Sequence, residues 1–169
     1  MLHPLSALKI KKELPEAMKV YSEVRQSKQL DTLESGGKLD AFRHVYTMAY
    51  LARTIQVSKL RALGSAHEKG DKLLFLNGDN EFGERPDSMA CEMDLKNNEL
   101  GLMIGSEHVK ASNEELKQLV IVAIKEGRAW YFKRNSLRQY LDCEGKIINL
   151  EDYKGKWAIP KCLISTDKE

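Results

Sequence analysis

Three short polar clusters contain the residue types that could carry out acid–base or phosphate chemistry. They are Asp40-Ala-Phe-Arg43-His44, His67-Glu68 and Asp94-Leu-Lys-Asn97-Asn98. A histidine beside a carboxylate can transfer protons near neutral pH, and an arginine or an asparagine amide can stabilise a phosphate or a developing oxyanion. We therefore predict that the three clusters meet in one polar site.

The side-chain chemistry suggests two groups of site residues. The predicted catalytic residues are His44, His67, Glu68 and Asp94, and the predicted substrate-binding residues are Asp40, Arg43, Asn97 and Asn98. Either histidine could be the general base that activates water, and Glu68 or Asp94 would orient it. Arg43 and Asn98 would then hold the phosphate or the oxyanion.

A metal-assisted version of the site stays open. Two histidines and one carboxylate can hold a catalytic zinc with an open position, so His44, His67 and Asp94 are candidate ligands. The HExxH spacing is absent, because the string reads His67-Glu-Lys-Gly-Asp71. We therefore assign no cofactor and keep a divalent metal as an alternative. GxSxG, P-loop and GxGxxG motifs are also absent.

Apolar residues at helical spacing predict the elements that position these clusters. The predicted helices run from Leu14 to Gln26 with Pro15 in the first turn, from Leu39 to about Val57, from about Lys59 to Lys69 with Gly70 as the stop, from a cap at Asp87 or Ser88 to near Gly101, and from Leu116 to Glu126. The pattern Ser112-Asn-Glu-Glu115 predicts a capping box at the start of the last helix. The second helix is expected to be central, since residues 48–52 are apolar all round. The intervening loop, residues 77–86, could shape the entrance of a site.

Each cluster also has a structural explanation. Asp40 could stabilise the start of its helix through the helix dipole, and His44 could be an ordinary core histidine with a satisfied hydrogen bond. His67-Glu68 could be a solvated helix end, and Asn97-Asn98 could form a turn after a helix. These explanations require no shared pocket.

The C-terminal residues follow a different pattern. Short apolar runs at residues 130–132, 147–148 and 157–164 are separated by turn residues, which favours small strands. We predict a mainly α fold, a single compact multi-helix domain of residues 1–169 with a small extended or β portion. The site-bearing helical core would span about residues 38–127, and the extended segment residues 128–169.

Composition restricts the cellular setting. The net charge is +2, no run approaches the ~20 apolar residues of a membrane span, and the N-terminus does not resemble a secretory signal. The three cysteines are widely spaced and show no CxxC pair, which predicts neither a disulfide framework nor a cysteine zinc site. A reducing compartment is the simplest interpretation of these cysteines. We therefore expect a cytoplasmic protein, although a removed leader would leave no trace.

The order of the three clusters resembles a known bacterial family of uncharacterised domains, the one grouped with the prokaryotic Wnt-like domains. The shared motifs are DAxRH at residues 40–44, HE at residues 67–68 and MDLxNNxxG at residues 93–101. The resemblance implies a helical domain whose motifs converge on one polar pocket, and an enzyme that acts on lipids or their head groups. The resemblance also implies that all eight predicted residues belong to this site.

Two function classes follow. The first is a hydrolase acting on a lipid or a phosphorylated small molecule, with a membrane surface as an alternative partner. The second is a noncatalytic binding or interaction domain in which the same residues form a buried polar network. Nucleic-acid binding through Arg128 to Arg138 is disfavoured, because snorkelling ends of an amphipathic strand explain those basic residues equally well.

Overall fold

The predicted helices and strands can be compared with a computed structural model, which describes residues 4–78 and 85–168. The described residues form five α-helices: α1 (Pro4–Ser27), α2 (Lys38–Ala52), α3 (Val57–Asn77), α4 (Ser88–Glu107) and α5 (Asn113–Lys125). Two strands follow, β1 (Trp130–Phe132) and β2 (Leu163–Ser165), with the short 3-10 helix Leu150–Tyr153 between them. The prediction of a mainly α domain with a small β portion near the C-terminus is confirmed.

Helix α2 forms the centre of the core, as its all-round apolar pattern predicted. Phe42, Val45 and Tyr46 are fully buried, and they pack with residues of α1, α4 and α5. The helix ends at Ala52, earlier than predicted, because Arg53 to Ile55 form a turn and Val57 already begins α3. This central position allows polar residues on α2 to face several other elements.

Two glycines on α4 bring its backbone against that of α2. A Cβ atom added to Gly101 would lie 2.3 Å from the carbonyl oxygen of Val45, and one added to Gly105 would lie 2.1 Å from that of Ala49. Only residues without a side chain permit this approach. The distance between the two site-bearing helices therefore depends on these glycines.

Helices α3 and α4 are both longer than predicted. Gly70 does not end α3, because burial continues at helical spacing through Glu68, Asp71 and Phe75, and the stop is Gly78 at φ +81°. Gly101 lies within α4, which continues to Glu107. His67-Glu68 and Asn97-Asn98 thus lie inside helices, and the predicted helix-end and turn explanations for them are wrong.

Other predicted boundaries have mixed outcomes. Helix α1 begins at Pro4, so Pro15 lies inside it and not in its first turn.

Asp87 caps α4 by accepting hydrogen bonds from the backbone N–H groups of Met89 and Ala90, as expected. Ser112 and Glu115 form the predicted capping box of α5. Residues 79–84 of the predicted site-entrance loop lie outside the described residues.

The C-terminal segment folds back onto the helices. Strands β1 and β2 are antiparallel with Tyr131 opposite Ile164, and Phe132 of β1 is buried against Met93 of α4.

Cys143 and Cys162 form a disulfide. The expectation of no disulfide is therefore wrong, because the backbone of Cys162 pairs with Leu141 and brings two distant cysteines together. The argument for a reducing compartment loses its basis, since disulfides persist mainly in oxidising compartments.

Removing this disulfide should destabilise the protein. We expect the double variant Cys143→Ser/Cys162→Ser to lose about 2 to 3 kcal/mol of unfolding free energy, because the bridge closes a loop between residues 19 apart. Urea denaturation with and without reductant measures the effect. Reductant should lower the midpoint of the wild type and leave that of the double variant unchanged. Equal responses of both proteins would contradict the prediction.

Among residues 4–78 and 85–168, none of the helices combines the length and the apolar character that crossing a bilayer requires.

Candidate functional site

The site begins at the first turn of α2, where Asp40 is almost completely buried. Its Oδ2 atom accepts a hydrogen bond from the backbone N–H of Gly36 at 2.7 Å, while its Oδ1 atom accepts from Nε and Nη2 of Arg43 at 3.1 and 2.6 Å. Asp40 therefore orders the entry to α2 and also fixes the guanidinium of Arg43. These contacts place Asp40 at the helix start, as predicted, and its role in a site stays a prediction.

His44 links this pair to α4. Its Nε2 atom lies 3.2 Å from Oδ1 of Asp94 and 3.0 Å from Nη2 of Arg43, and its Nδ1 atom lies 3.4 Å from Oδ1 of Asn98. Of the three clusters predicted to meet, this placement joins the first and the third, through Arg43, His44, Asp94 and Asn98. His44 is surrounded by polar partners from two helices, in contrast to an isolated core histidine.

Burial and the neighbouring charges shift the pKa values of His44, Asp40 and Asp94 in different directions. Burial disfavours a charged imidazole, but the carboxylates of Asp94 and Asp40 outweigh it and raise the pKa of His44 to about 9. Burial also favours the neutral form of Asp40, yet His44 and Arg43 lower its pKa to about 2. For Asp94 the burial dominates and raises the pKa to about 6 despite the charge of His44.

A second group lies on α3. Nε2 of His67 lies 3.9 Å from Oδ2 of Asp71, and the ligand atoms of His67, Glu68 and Asp71 all lie within 4.8 Å of one another. Glu68 and Asp71 are buried, whereas the His67 side chain is half exposed. Burial, followed by the charge of Asp94, raises the pKa of Glu68 to about 8.

The two adjacent asparagines have different positions. Asn98 faces His44, but Asn97 faces the C-terminal segment, where its amide donates to the carbonyl oxygen of Trp130 and accepts from the N–H of the same residue at 2.9 Å each. Both polar atoms of the Asn97 side chain thus bind β1. The structure does not bring Asn97, predicted as substrate-binding, to the other site residues.

A small polar cavity lies beside the network. Its volume is about 50 Å³, enough for a few water molecules or one small ion. The charged residues that line it are Glu34, Asp40, Arg43, Asp71, Arg85, Asp87, Asp94 and Lys161. His44 is not part of the lining. Asp94, like Asp40 and Arg43, both contacts His44 and lines the cavity.

Several of the charged lining residues were missed by the sequence analysis, among them Asp71, Asp87 and Lys161. Asp71 is four residues after His67, but its role depends on the continuation of α3 through Gly70. Asp87 was recognised only as a helix cap, and Lys161 carries no sequence signal. These last two form a buried ion pair with 2.7 Å between Lys161 Nζ and Asp87 Oδ2. The pair fixes the C-terminal segment to the start of α4.

Two groups of residues have the composition needed for a metal ion: Asp40, His44 and Asp94 in one, and His67, Glu68 and Asp71 in the other. The predicted ligand set of His44, His67 and Asp94 takes members from both. In the first group, the Arg43 guanidinium already contacts Asp40 and His44. A fixed positive charge at those ligand atoms disfavours a cation there.

The fold and the site together define a helical domain with a buried histidine–carboxylate network beside a small charged cavity. Residues 1–128 match the family described as "Domain of unknown function (DUF6973)", and the chain belongs to this family. The matched region contains all five described α-helices and all eight predicted site residues, and it ends just before β1. Comparison with curated proteins and with solved structures gave no match.

Proposed function

We propose that this domain is a hydrolase that cleaves a phosphoester or a lipid ester. The observation that carries the proposal is the position of Asp94, which contacts His44 on one side and lines a charged cavity on the other. A buried carboxylate with a raised pKa is a suitable general base near neutral pH. Arg43, in the wall of the same cavity, supplies positive charge for a phosphate or an oxyanion.

The arrangement favours different roles from those first predicted for His44 and Asp94. An imidazole with a pKa of about 9 is protonated at neutral pH, so His44 is suited to hold and stabilise the Asp94 carboxylate. Asp94 would accept a proton from water in the cavity while the water oxygen bonds to phosphorus or to the acyl carbon. The ester bond to the leaving oxygen then breaks, and the proton passes from Asp94 to that oxygen.

The substrate class follows from the cavity wall. Arg43, Arg85 and Lys161 contribute positive groups to the wall, among a larger number of carboxylates. We therefore favour a phosphorylated small molecule or a lipid head group, with the remaining part of the substrate outside the cavity. The Wnt-like resemblance and its implied action on lipids belong to the same proposal. A membrane surface is the partner that a lipid substrate would require.

Neutralising Asp94 should abolish hydrolysis. We expect Asp94→Asn to reduce kcat/KM on an active substrate by at least a hundredfold, the usual contribution of a general base. A panel of p-nitrophenyl phosphate, bis-p-nitrophenyl phosphate, p-nitrophenyl esters and phospholipid vesicles would identify that substrate. Glu92→Gln is the matched control, because it neutralises an exposed carboxylate on the same helix, and it should retain full activity. Activity unchanged in Asp94→Asn would refute the assignment.

The pH dependence of the same reaction gives a further readout. Because the pKa of Asp94 is raised to about 6 and that of His44 to about 9, kcat/KM should increase through about pH 6 and decrease above about pH 9. Because Asp94 and His44 titrate together, the two apparent pKa values of the profile belong to the Asp94–His44 pair and not to either residue alone. A profile without the acidic limb would argue against Asp94 as the base.

A noncatalytic polar network is the second candidate. The mutual contacts of Asp40, Arg43, His44 and Asn98 favour it, since buried polar residues with partners also stabilise a fold. In that case His44→Gln would lower thermal stability, and the wild type would hydrolyse nothing on the panel. Nucleic-acid binding has less support, because Arg134 donates to the Ser35 carbonyl oxygen and lies over the Tyr140 ring.

A further inference from the structure

The group on α3 carries an inference that is independent of the proposed hydrolysis. We propose that His67, Glu68 and Asp71 bind one divalent transition-metal ion, with zinc as the best fit. These three residues supply one ring nitrogen and two carboxylates, a ligand set that zinc accepts in sites with an open coordination position. The set differs from the one predicted from the sequence, which combined His44, His67 and Asp94.

Glu68 provides the strongest argument for a missing cation. Only 7% of the residue is exposed, and among the described residues no N–H or O–H group donates to either carboxylate oxygen, the weak donor beside them being the Cys91 thiol. A buried polar group without a partner is costly, and buried carboxylates are usually paired or bound to a metal. A cation between Glu68 and Asp71 would satisfy both carboxylates at once.

The distances within the group suit a metal after a small adjustment. All three ligand atoms lie within 4.8 Å of one another. An ion at about 2.1 Å from each ligand can bridge atoms up to about 4.2 Å apart, so shifts of less than about 1 Å would complete the site. Residues 67, 68 and 71 belong to one helix, and α3 therefore fixes their relative positions before the ion binds.

The position of the group permits exchange with solvent and contact with the cavity. The half-exposed ring of His67 lies at the outer side, whereas Asp71 lines the charged cavity. An ion held here would reach the cavity wall through Asp71 and could keep an open position for water or a phosphate oxygen. In the other group, around His44, the Arg43 guanidinium already contacts the imidazole. Its positive charge would repel a cation there.

Metal titration of the full chain tests the site directly. After treatment with chelator and dialysis, calorimetric titration with Zn²⁺ should show one equivalent bound to the wild type. We expect His67→Ala and Asp71→Asn each to weaken the affinity at least tenfold, and Glu68→Gln to do the same while keeping the size of the side chain. Zn²⁺ should also raise the melting temperature of the wild type and not that of His67→Ala.

Two controls separate this site from its alternatives. Glu92→Gln should keep the affinity within twofold, because its carboxylate lies on the surface of α4. His44→Gln should keep it within threefold, whereas a large loss in that variant would move the ion to the other group and overturn the proposal. Absence of binding to the folded wild type would also overturn it. If the protein hydrolyses a substrate but binds no Zn²⁺, the metal site is refuted and the proposed hydrolysis stands. If it binds Zn²⁺ but hydrolyses nothing, the metal site stands and the proposed hydrolysis is refuted.

Discussion

Gly101→Ala should destabilise the domain by about 4 kcal/mol, above the range of about 1 to 3 kcal/mol that is usual for overpacking. The added Cβ atom would lie 2.3 Å from the carbonyl oxygen of Val45 and 2.9 Å from the Cβ of Met48. A backbone oxygen cannot rotate away as a side chain can, so α2 and α4 must separate. Chemical denaturation followed by circular dichroism measures the loss.

The same separation should disrupt the site. His44 is on α2, and its partners Asp94 and Asn98 are on α4, so any widening lengthens their contacts. Gly70→Ala is the matched control, because Gly70 is also inside a helix and a Cβ atom there meets nothing within 4 Å. It should be neutral or slightly stabilising, since alanine has the higher helix propensity. Equal effects of the two substitutions would show that helix packing is not the cause.

Asp40→Ala should cost about 3 to 5 kcal/mol, the range expected when one partner of a buried ion pair is removed. The substitution leaves the Arg43 guanidinium and the backbone N–H of Gly36 without the oxygens that they contact. It also removes the nearby carboxylate that helps to hold His44 in its charged form. Thermal and urea denaturation measure the loss. Glu99→Gln, which breaks the exposed pair with Arg61, should leave the unfolding free energy nearly unchanged.

The acid dependence of stability gives Asp40 a second signature. Its pKa is about 2 in the folded protein and 3.8 as the ordinary value, so the unfolded chain binds the proton more readily. The resulting stabilisation, about 2 kcal/mol, is present above about pH 4 and is lost as the pH falls towards 2. Asp40→Asn should lack this part of the acid transition. An acid transition identical to that of the wild type would contradict the assigned contacts.

Local patterns predicted much of the scaffold correctly. The capping box at Ser112, the cap at Asp87 and the apolar all-round stretch of α2 depend on neighbouring residues, and each has the structure expected. Helix ends were harder to predict where a glycine lies within a helix and does not end it. Gly70 and Gly101 resemble stop signals in the sequence, but the packing of residues on both sides keeps the helices intact.

The sequence by itself determined that polar residues at positions 40 and 44, and at 94 and 98, lie on common helix faces within apolar surroundings. Helical spacing is a property of the chain alone, so this part required no partner. Only the tertiary structure decided that Asn98 reaches His44 while Asn97 binds Trp130, because adjacent helix residues point about 100° apart.

The tertiary structure likewise decided the Cys143–Cys162 disulfide, the cavity position of Lys161 and the grouping of Asp71 with His67 and Glu68. The first two join residues far apart in the chain, and the third requires α3 to continue through Gly70. No local pattern encodes the distance and rotation between packed elements. The three polar clusters could therefore be predicted from the sequence as candidate site residues, whereas their partners depended on how closely α2, α3, α4 and the C-terminal segment pack.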